Sequence, residues 1–136
     1  MTPGQKKSML AKYRIDQAND ALKEAELLFN NMMNPRSVIN RLYYAMFYSV
    51  LALLVYEQFA SSKHKGVLSY FNKRFIKEGI FTKKMAHSIN KAFELRIIGD
   101  YKENSNITRE EVEPFINNAR DFIRITEEYL KNIQDD

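Results

Sequence analysis

The chain has 136 residues, the size of a single domain with one hydrophobic core. It contains no cysteine, only four glycines and three prolines, and its net charge is +4. These counts exclude disulfide frameworks, cysteine-based zinc sites and thiol catalysis, and they disfavour all-β folds and glycine-rich phosphate loops. We therefore expect one domain over residues 1–136, with no cofactor and no metal site.

The same composition bears on the cellular compartment. A chain without cysteine is typical of a reducing environment, and the segment Met1–Leu10 lacks the apolar stretch of a signal peptide. The longest apolar run, residues 42–56, is short for a membrane span and rich in tyrosine. We expect a cytoplasmic protein that does not associate with membranes.

Two long helices are predicted in the first part of the chain. Residues 8–30 place apolar side chains at helical spacing among charged ones. A second helix is predicted from Pro35 to Tyr56, because Asn34 is a typical N-cap and proline is favoured at the first helical position. Residues 42–56 are apolar or aromatic on every side, so this helix should be central and buried on more than one side.

A short helix and a third long one are predicted next. After a polar loop at residues 61–66, apolar residues recur at helical spacing from Val67 to Gly79. Thr82 can cap the following helix, and Gly99 is a plausible end for it.

The last helix has two possible starts. Thr108 to Glu111 has the form of a capping box, whereas Pro114 suits the first turn of a helix. The helix therefore begins at Thr108 and kinks, or begins near Pro114 after a single turn. No hairpin or repeat signal occurs, so the predicted fold class is all-α: an antiparallel helical bundle of four long helices plus a short one.

The arginine at the start of the apolar run is the most informative residue. Helical geometry places Arg41 on one stripe with Tyr44 and Tyr48. Burial of a guanidinium group is costly unless an anion meets it. The sequence leaves two partners open: an internal carboxylate such as Glu94 or Asp100, or a phosphate of a nucleotide or RNA, which arginine binds as a planar fork.

Positive charge is concentrated in the middle of the chain. Between Lys63 and Lys91 there are eight lysines and arginines against one acid, and both histidines, His64 and His87, lie in this stretch. From Glu94 onward the balance reverses to eleven acids against six bases. Such a basic stretch is either a solvated face or a surface for phosphates or an acidic partner.

Three separated motifs resemble those of the small stand-alone HEPN domain proteins. They are Asn40-Arg41-Leu-Tyr-Tyr-Ala-Met-Phe-Tyr48, Lys63-His64-Lys-Gly66-Val67 and Arg96-Ile-Ile-Gly-Asp100-Tyr101. The resemblance spans nearly the whole chain. It implies a helical bundle that pairs as a homodimer, is often encoded beside a minimal nucleotidyltransferase, and belongs to a family with many ribonuclease toxins.

The resemblance also implies a site. The family hallmark is an arginine followed after four to six residues by a histidine, and commonly preceded by Asn or Asp. Asn40 and Arg41 match this pattern, but Tyr48 stands where the histidine is expected. Histidine, with a pKa near about 6.5, can take a proton from the 2′-hydroxyl of RNA, whereas tyrosine near about 10 is almost wholly protonated at neutral pH. Metal-free ribonuclease activity is therefore expected to be weakened or lost.

The candidate site residues fall into two groups. The candidate catalytic residues are Arg41, Tyr48 and Asn40, and the candidate phosphate or nucleotide contacts are Arg41, Tyr44, Lys63, His64 and Arg96. His64 lies in a loop motif, where it either orders the loop or contacts phosphate. His87 is expected to be solvated, and Arg96 and Asp100, four residues apart, can pair near a helix end.

Two classes of function fit these observations. The first is a HEPN-type RNA- or nucleotide-associated domain of a toxin–antitoxin or defence-like module. The alternative is a non-enzymatic dimeric interaction module that binds a nucleotidyltransferase partner, a nucleotide, or both. A homodimer through the central helices is expected in either case, because residues 42–56 are apolar all round. A purely structural bundle would leave Arg41 without a role.

Overall fold

The computed structural model describes residues 1–59, 61, 63–101 and 106–134. Within these ranges the chain forms helices and no strand. The helices are α1 (Pro3–Asn30), α2 (Pro35–Leu54), α3 (His64–Phe71), α4 (Lys83–Tyr101), α5 (Arg109–Val112) and α6 (Pro114–Gln134). The four long helices are α1, α2, α4 and α6, so the predicted all-α bundle is confirmed.

Capping groups set the start of the first two helices. The Thr2 hydroxyl accepts a hydrogen bond from the Gln5 N–H at 3.1 Å, and the Gln5 side chain accepts one from the Thr2 N–H at 2.9 Å. This capping box begins α1 at Pro3, before the position predicted from the apolar spacing. Asn34 caps α2 as predicted, because its side-chain oxygen accepts from the Arg36 N–H at 2.9 Å.

The connection between α3 and α4 contains an unusual turn. After Phe71 the chain continues as a π-helical segment over Asn72–Lys77. It then reverses at Gly79, whose φ of +80° lies in the left-handed region that glycine adopts without a steric cost. The short helix therefore starts earlier than predicted, at His64, and its far end is wound as a π-helix.

The start of the last helix follows the second predicted alternative, a single turn before a helix that begins at Pro114. Thr108 and Glu111 form a capping box that opens the single turn α5. Pro114 then begins α6 as a separate helix. The expectation for Gly99 is wrong, because α4 continues to Tyr101.

The central helix is α2, as predicted. α1, α4 and α6 all pack on it, and α1 and α4 both run antiparallel to it. One stripe of α2 and its C-cap remains only half-buried, at a spacing of three and four residues, and we call it the α2 stripe: Arg41, Tyr44, Tyr48, Leu51 and the C-cap residue Val55. The chain thus covers most of the apolar surface of α2 by itself and leaves this α2 stripe at its edge.

Length and composition alone would allow α2 to cross a membrane, with a mean hydropathy of 1.3 over its most apolar window. However, 67% of that window is buried against other parts of the protein. Burial of this extent is typical of the core helix of a globular domain.

Candidate phosphate site

Arg41 is held in a defined orientation at the edge of the core. Its Nε and Nη2 atoms donate to Asn40 Oδ1 at 3.3 and 3.1 Å. Its guanidinium carbon lies 5.0 Å from the centroid of the Tyr44 ring, a cation–π contact. The side chain is 28% exposed, so part of the guanidinium group faces solvent.

The acidic neighbour of Arg41 differs from the two that the sequence suggested. Glu24 on α1 places Oε1 at 4.0 Å from Arg41 Nη1, and its side chain is 57% exposed. Such a long and solvated ion pair contributes little to stability. Glu94 and Asp100 instead pair with basic residues of their own helix, α4. They are therefore not the internal partners of Arg41.

Arg41 lines a cleft of about 380 Å³, which we call the arginine cleft. It lies where the end of α1, the start of α2 and the end of α4 meet. Its lining residues are Leu28, Arg36, Ser37, Asn40, Arg41, Gly99 and Asp100. Sequence reasoning missed Arg36, although residues four positions apart on a helix share a face and Asn40 follows Arg36 by four.

Arg36 extends along the end of α4. Its Nη1 atom donates to the carbonyl of Gly99 at 3.4 Å. A Cβ atom on Gly99 would lie only 3.1 Å from Arg36 Cγ and from Ile107 Cδ1. Gly99 therefore lets the Arg36 and Ile107 side chains pack closely against α4, and it does not end the helix as the sequence suggested.

A second arginine contacts the Tyr44 ring. The guanidinium carbon of Arg96 lies 5.2 Å from the Tyr44 centroid and 5.4 Å from that of Tyr43. Its Nε atom is buried without a hydrogen bond and lies 3.7 Å from Asp100 Oδ2. The predicted pairing of Arg96 with Asp100 is thus present, and it connects the Tyr43 and Tyr44 rings to the wall of the arginine cleft.

His64 connects α3 to α2 through an aromatic cluster. Its Nδ1 atom lies 2.8 Å from the Tyr43 hydroxyl, and its ring stacks on Phe47 with centroids 4.3 Å apart. Burial, followed by the positive charge of Arg96, lowers the pKa of His64. Burial also raises the pKa of Tyr43, so this hydroxyl stays protonated at neutral pH. His64 is a neutral imidazole that orders the start of α3.

The other predicted residues lie at different distances from Arg41. Tyr48 packs on Tyr44 with ring centroids 5.6 Å apart, so the predicted stripe is continuous and Tyr48 lies one ring beyond the guanidinium group. Lys63 is exposed at the N-cap of α3, and His87 is exposed on α4. The structure thus groups Asn40, Arg41 and Tyr44 closely.

Comparison with known proteins identifies the family. The model of the HEPN domain matches residues 11–129. The chain belongs to the HEPN domain family. A UPF0332 protein of Thermotoga maritima is 36% identical over 94% of this chain and 96% of its own length. Two proteins of Methanocaldococcus jannaschii, both named "Putative toxin", are 36% and 34% identical over 88% of this chain, covering 82% and 87% of their own lengths.

In this HEPN domain the basic stretch of residues 63–91 runs from the N-cap of α3 through the π-helical segment into α4. Arg74 is neutralised by Glu57 at 3.0 Å and Glu78 at 3.4 Å, and Lys91 pairs with Glu94 at 3.4 Å. Six lysines of the basic stretch are exposed, and we call them the lysine surface: Lys63, Lys65, Lys73, Lys77, Lys83 and Lys84. In the described ranges of this HEPN domain, no three His, Asp or Glu side chains cluster as metal ligands would.

Proposed function

We propose that this HEPN domain is an RNA- or nucleotide-associated module of a toxin–antitoxin or defence-like system, and that Arg41 contacts phosphate. The names of the two Methanocaldococcus relatives support the toxin assignment. Arg41 supports the phosphate assignment. Its guanidinium group is oriented by Asn40 and Tyr44, yet its acidic neighbour is a solvated carboxylate at 4.0 Å.

Phosphate fits Arg41 for chemical reasons. A guanidinium group presents parallel N–H donors that match two phosphate oxygens, and such charge-assisted bonds are about twice as strong as neutral ones. Asn40 and Tyr44 hold the group before a ligand arrives, which reduces the entropy lost on binding. The arginine cleft, at about 380 Å³, also lies within the range of small-ligand sites.

We propose further that ribonuclease activity is weakened or lost. In metal-free cleavage the ribose 2′ oxygen attacks phosphorus, its proton passes to a base, and the 5′ oxygen leaves with a proton from a general acid or from water. Arg41 can stabilise the charge on the phosphorane, as preorganised cations do. The base is deficient, because Tyr48 stands at the histidine position and His64 Nδ1 is engaged by the Tyr43 hydroxyl.

Restoring the histidine tests this proposal. Tyr48→His should raise metal-free RNA cleavage, and a general base is typically worth about 10²- to 10⁴-fold. Adding Arg41→Ala to that variant should abolish the gain, whereas adding Arg124→Ala, on the exposed face of α6, should leave it unchanged. The assay is cleavage of a labelled oligoribonucleotide in the presence of a chelator. Efficient cleavage by the wild-type protein would contradict the loss of activity, and His64 would become the first candidate base.

A second candidate is a non-enzymatic dimeric module that binds a minimal nucleotidyltransferase. A groove of about 290 Å³ favours it, in which Leu10 of α1 meets Leu51 and Val55 of the α2 stripe beside the charged side chains of Arg14 and Glu57. If neither wild type nor Tyr48→His cleaves RNA, while Arg41→Ala removes binding of a nucleotide or of the nucleotidyltransferase, this function replaces the first.

A further inference from the structure

One carboxylate lies in the otherwise cationic arginine cleft. Asp100 lines this cleft with Arg36 and Arg41, and its side chain is 40% exposed. Its Oδ2 atom lies 3.7 Å from Arg96 Nε, too far for a strong hydrogen bond. A phosphate bound in the cleft would meet this like charge, unless the same ligand also brought a hydrogen-bond donor to it.

The charged groups of the cleft are divided between two walls. α2 contributes Arg36 and Arg41, together with the polar side chains of Ser37 and Asn40, whereas α4 contributes Asp100. An anion is therefore attracted to the α2 wall. At the α4 wall, a hydrogen-bond donor of the same ligand is favoured, because the ionised Asp100 carboxylate only accepts hydrogen bonds.

Gly99 brings these two walls together. Because Gly99 has no Cβ, the Arg36 side chain lies directly against α4, and its Nη1 donates to the Gly99 carbonyl. Asp100 follows in the next position of the same helix. A ligand the size of one nucleotide unit therefore spans both walls of the 380 Å³ cleft.

We propose that the arginine cleft binds one ribonucleotide unit of RNA, with Arg36 and Arg41 on the phosphate and Asp100 accepting a hydrogen bond from the ribose 2′-hydroxyl. The 2′-hydroxyl is the group by which a protein distinguishes RNA from DNA. Asp100 is then the residue that sets the preference for RNA, and Arg36 is a second phosphate contact. This inference rests on the proposed phosphate contact of Arg41, which places the sugar in the cleft.

The test compares three labelled adenosine hexamers: ribo, 2′-deoxy and 2′-fluoro. The 2′-fluoro sugar keeps the ribose pucker but has no donor. The wild-type protein should bind the ribo hexamer about tenfold more tightly than either of the others, the usual effect of one charge-assisted hydrogen bond. Fluorescence anisotropy at fixed salt gives the affinities, and a gel confirms that the ribo hexamer stays intact.

Variants separate the sugar contact from the phosphate contact. Asp100→Ala should bring the ratio of the ribo to the 2′-deoxy affinity close to one. It should also strengthen binding of the 2′-deoxy hexamer, because the carboxylate that repels the phosphate is gone. Asp100→Asn keeps an acceptor without the charge, so its preference should be intermediate. Arg36→Ala should weaken binding of all three hexamers by a similar factor. The matched controls are Asp121→Ala and Arg124→Ala on α6. In the wild-type protein these two residues form an ion pair at 3.8 Å, and neither lines the cleft.

Each outcome distinguishes this inference from the proposed function. If wild type binds all three hexamers equally and Arg41→Ala weakens each, the phosphate site stands and the role of Asp100 is overturned. If ribo and 2′-fluoro hexamers bind equally well and both exceed the deoxy hexamer, sugar pucker explains the preference and Asp100 does not. If no hexamer shows binding that depends on Arg41, both proposals fail. Should Asp100→Ala fail to fold by circular dichroism, Asp100→Asn decides.

Discussion

At the scale of single residues, Arg41 shows how a charge is kept beside an apolar core. Its guanidinium group packs on the Tyr44 ring, while its donors reach Asn40 and solvent. This arrangement avoids the desolvation penalty of a fully buried charge. The guanidinium group therefore stays available to a ligand.

The first prediction separates the charge of Arg41 from its shape. Arg41→Lys keeps the positive charge but loses the planar fork, so affinity for a 5′-phosphorylated oligonucleotide should fall about tenfold. Glu24→Gln should strengthen the same binding, because it removes the acidic neighbour at 4.0 Å. Both affinities are measured by anisotropy, and both variants should keep the melting temperature within about 4 °C, since an exposed ion pair is worth at most about 1 kcal/mol. A larger drop in the melting temperature of Glu24→Gln would mean that the Arg41–Glu24 pair stabilises the fold, and would contradict the view that Arg41 is available to a ligand.

The second prediction concerns pH and His64. Burial and Arg96 lower the pKa of His64 in the folded state, so the unfolded chain binds a proton more readily. This contribution to stability is present above the unfolded pKa of about 6.5 and is lost as pH falls through that value toward the lower folded pKa. The melting temperature should therefore drop between about pH 7 and pH 5.

A pair of histidine variants checks this assignment. His64→Asn should flatten the fall in melting temperature at acidic pH, whereas the exposed His87→Asn should leave it unchanged. Melts followed by circular dichroism across this pH range measure the difference. An equal effect of the two variants would remove His64 as the source.

At the scale of elements, some boundaries follow from short-range chemistry and others from packing. The start of α2 is set by the side chains of Asn34, which caps the helix, and Pro35, which is its first residue. The sequence therefore predicts this boundary correctly. Gly99 carries no such local information. It reads as a helix end, yet α4 passes through it because the missing Cβ admits Arg36 and Ile107. Contacts between residues that are distant in sequence decide where such a helix ends, and the apolar pattern of the sequence does not predict these contacts.

The third prediction tests the lysine surface. If it contacts RNA, Lys83→Glu with Lys84→Glu should weaken binding of all sequences alike, and the dependence of log affinity on log salt should become shallower by about 1.4 for two lost single-strand phosphate contacts. Lys6→Glu with Lys7→Glu is the matched control, an adjacent exposed pair on α1 with the same change of charge. Equal losses in the two double variants would assign the effect to net charge, and no loss in either would make this surface a solvated face.

At the scale of the whole molecule, the fold was more predictable than the site. The helical periodicity and the apolar run at residues 42–56 predicted an all-α bundle with α2 at its centre. Motif similarity also pointed to Arg41. It did not reveal Arg36 or Glu24, because the arginine cleft forms only where the ends of α1 and α4 meet the start of α2. Proximity of that kind depends on the packing of the entire bundle.

The last prediction is the oligomeric state, which we propose to be a homodimer that pairs through the Leu51 and Val55 end of the α2 stripe, away from Arg41. The stripe repeats at three and four residues, the spacing with which helices pack side by side, and its apolar members Leu51 and Val55 adjoin Leu10, which is exposed on α1.

Light scattering should give twice the chain mass of 16.0 kDa at micromolar concentration. Leu51→Glu should shift the protein toward the monomer, because burying a carboxylate in an apolar interface costs several kcal/mol. Leu27→Glu, at an exposed position of α1 that does not line the groove between Leu10, Leu51 and Val55, should not alter the mass. A wild-type monomer whose mass is independent of concentration would contradict pairing through α2 and leave the half-buried stripe facing solvent.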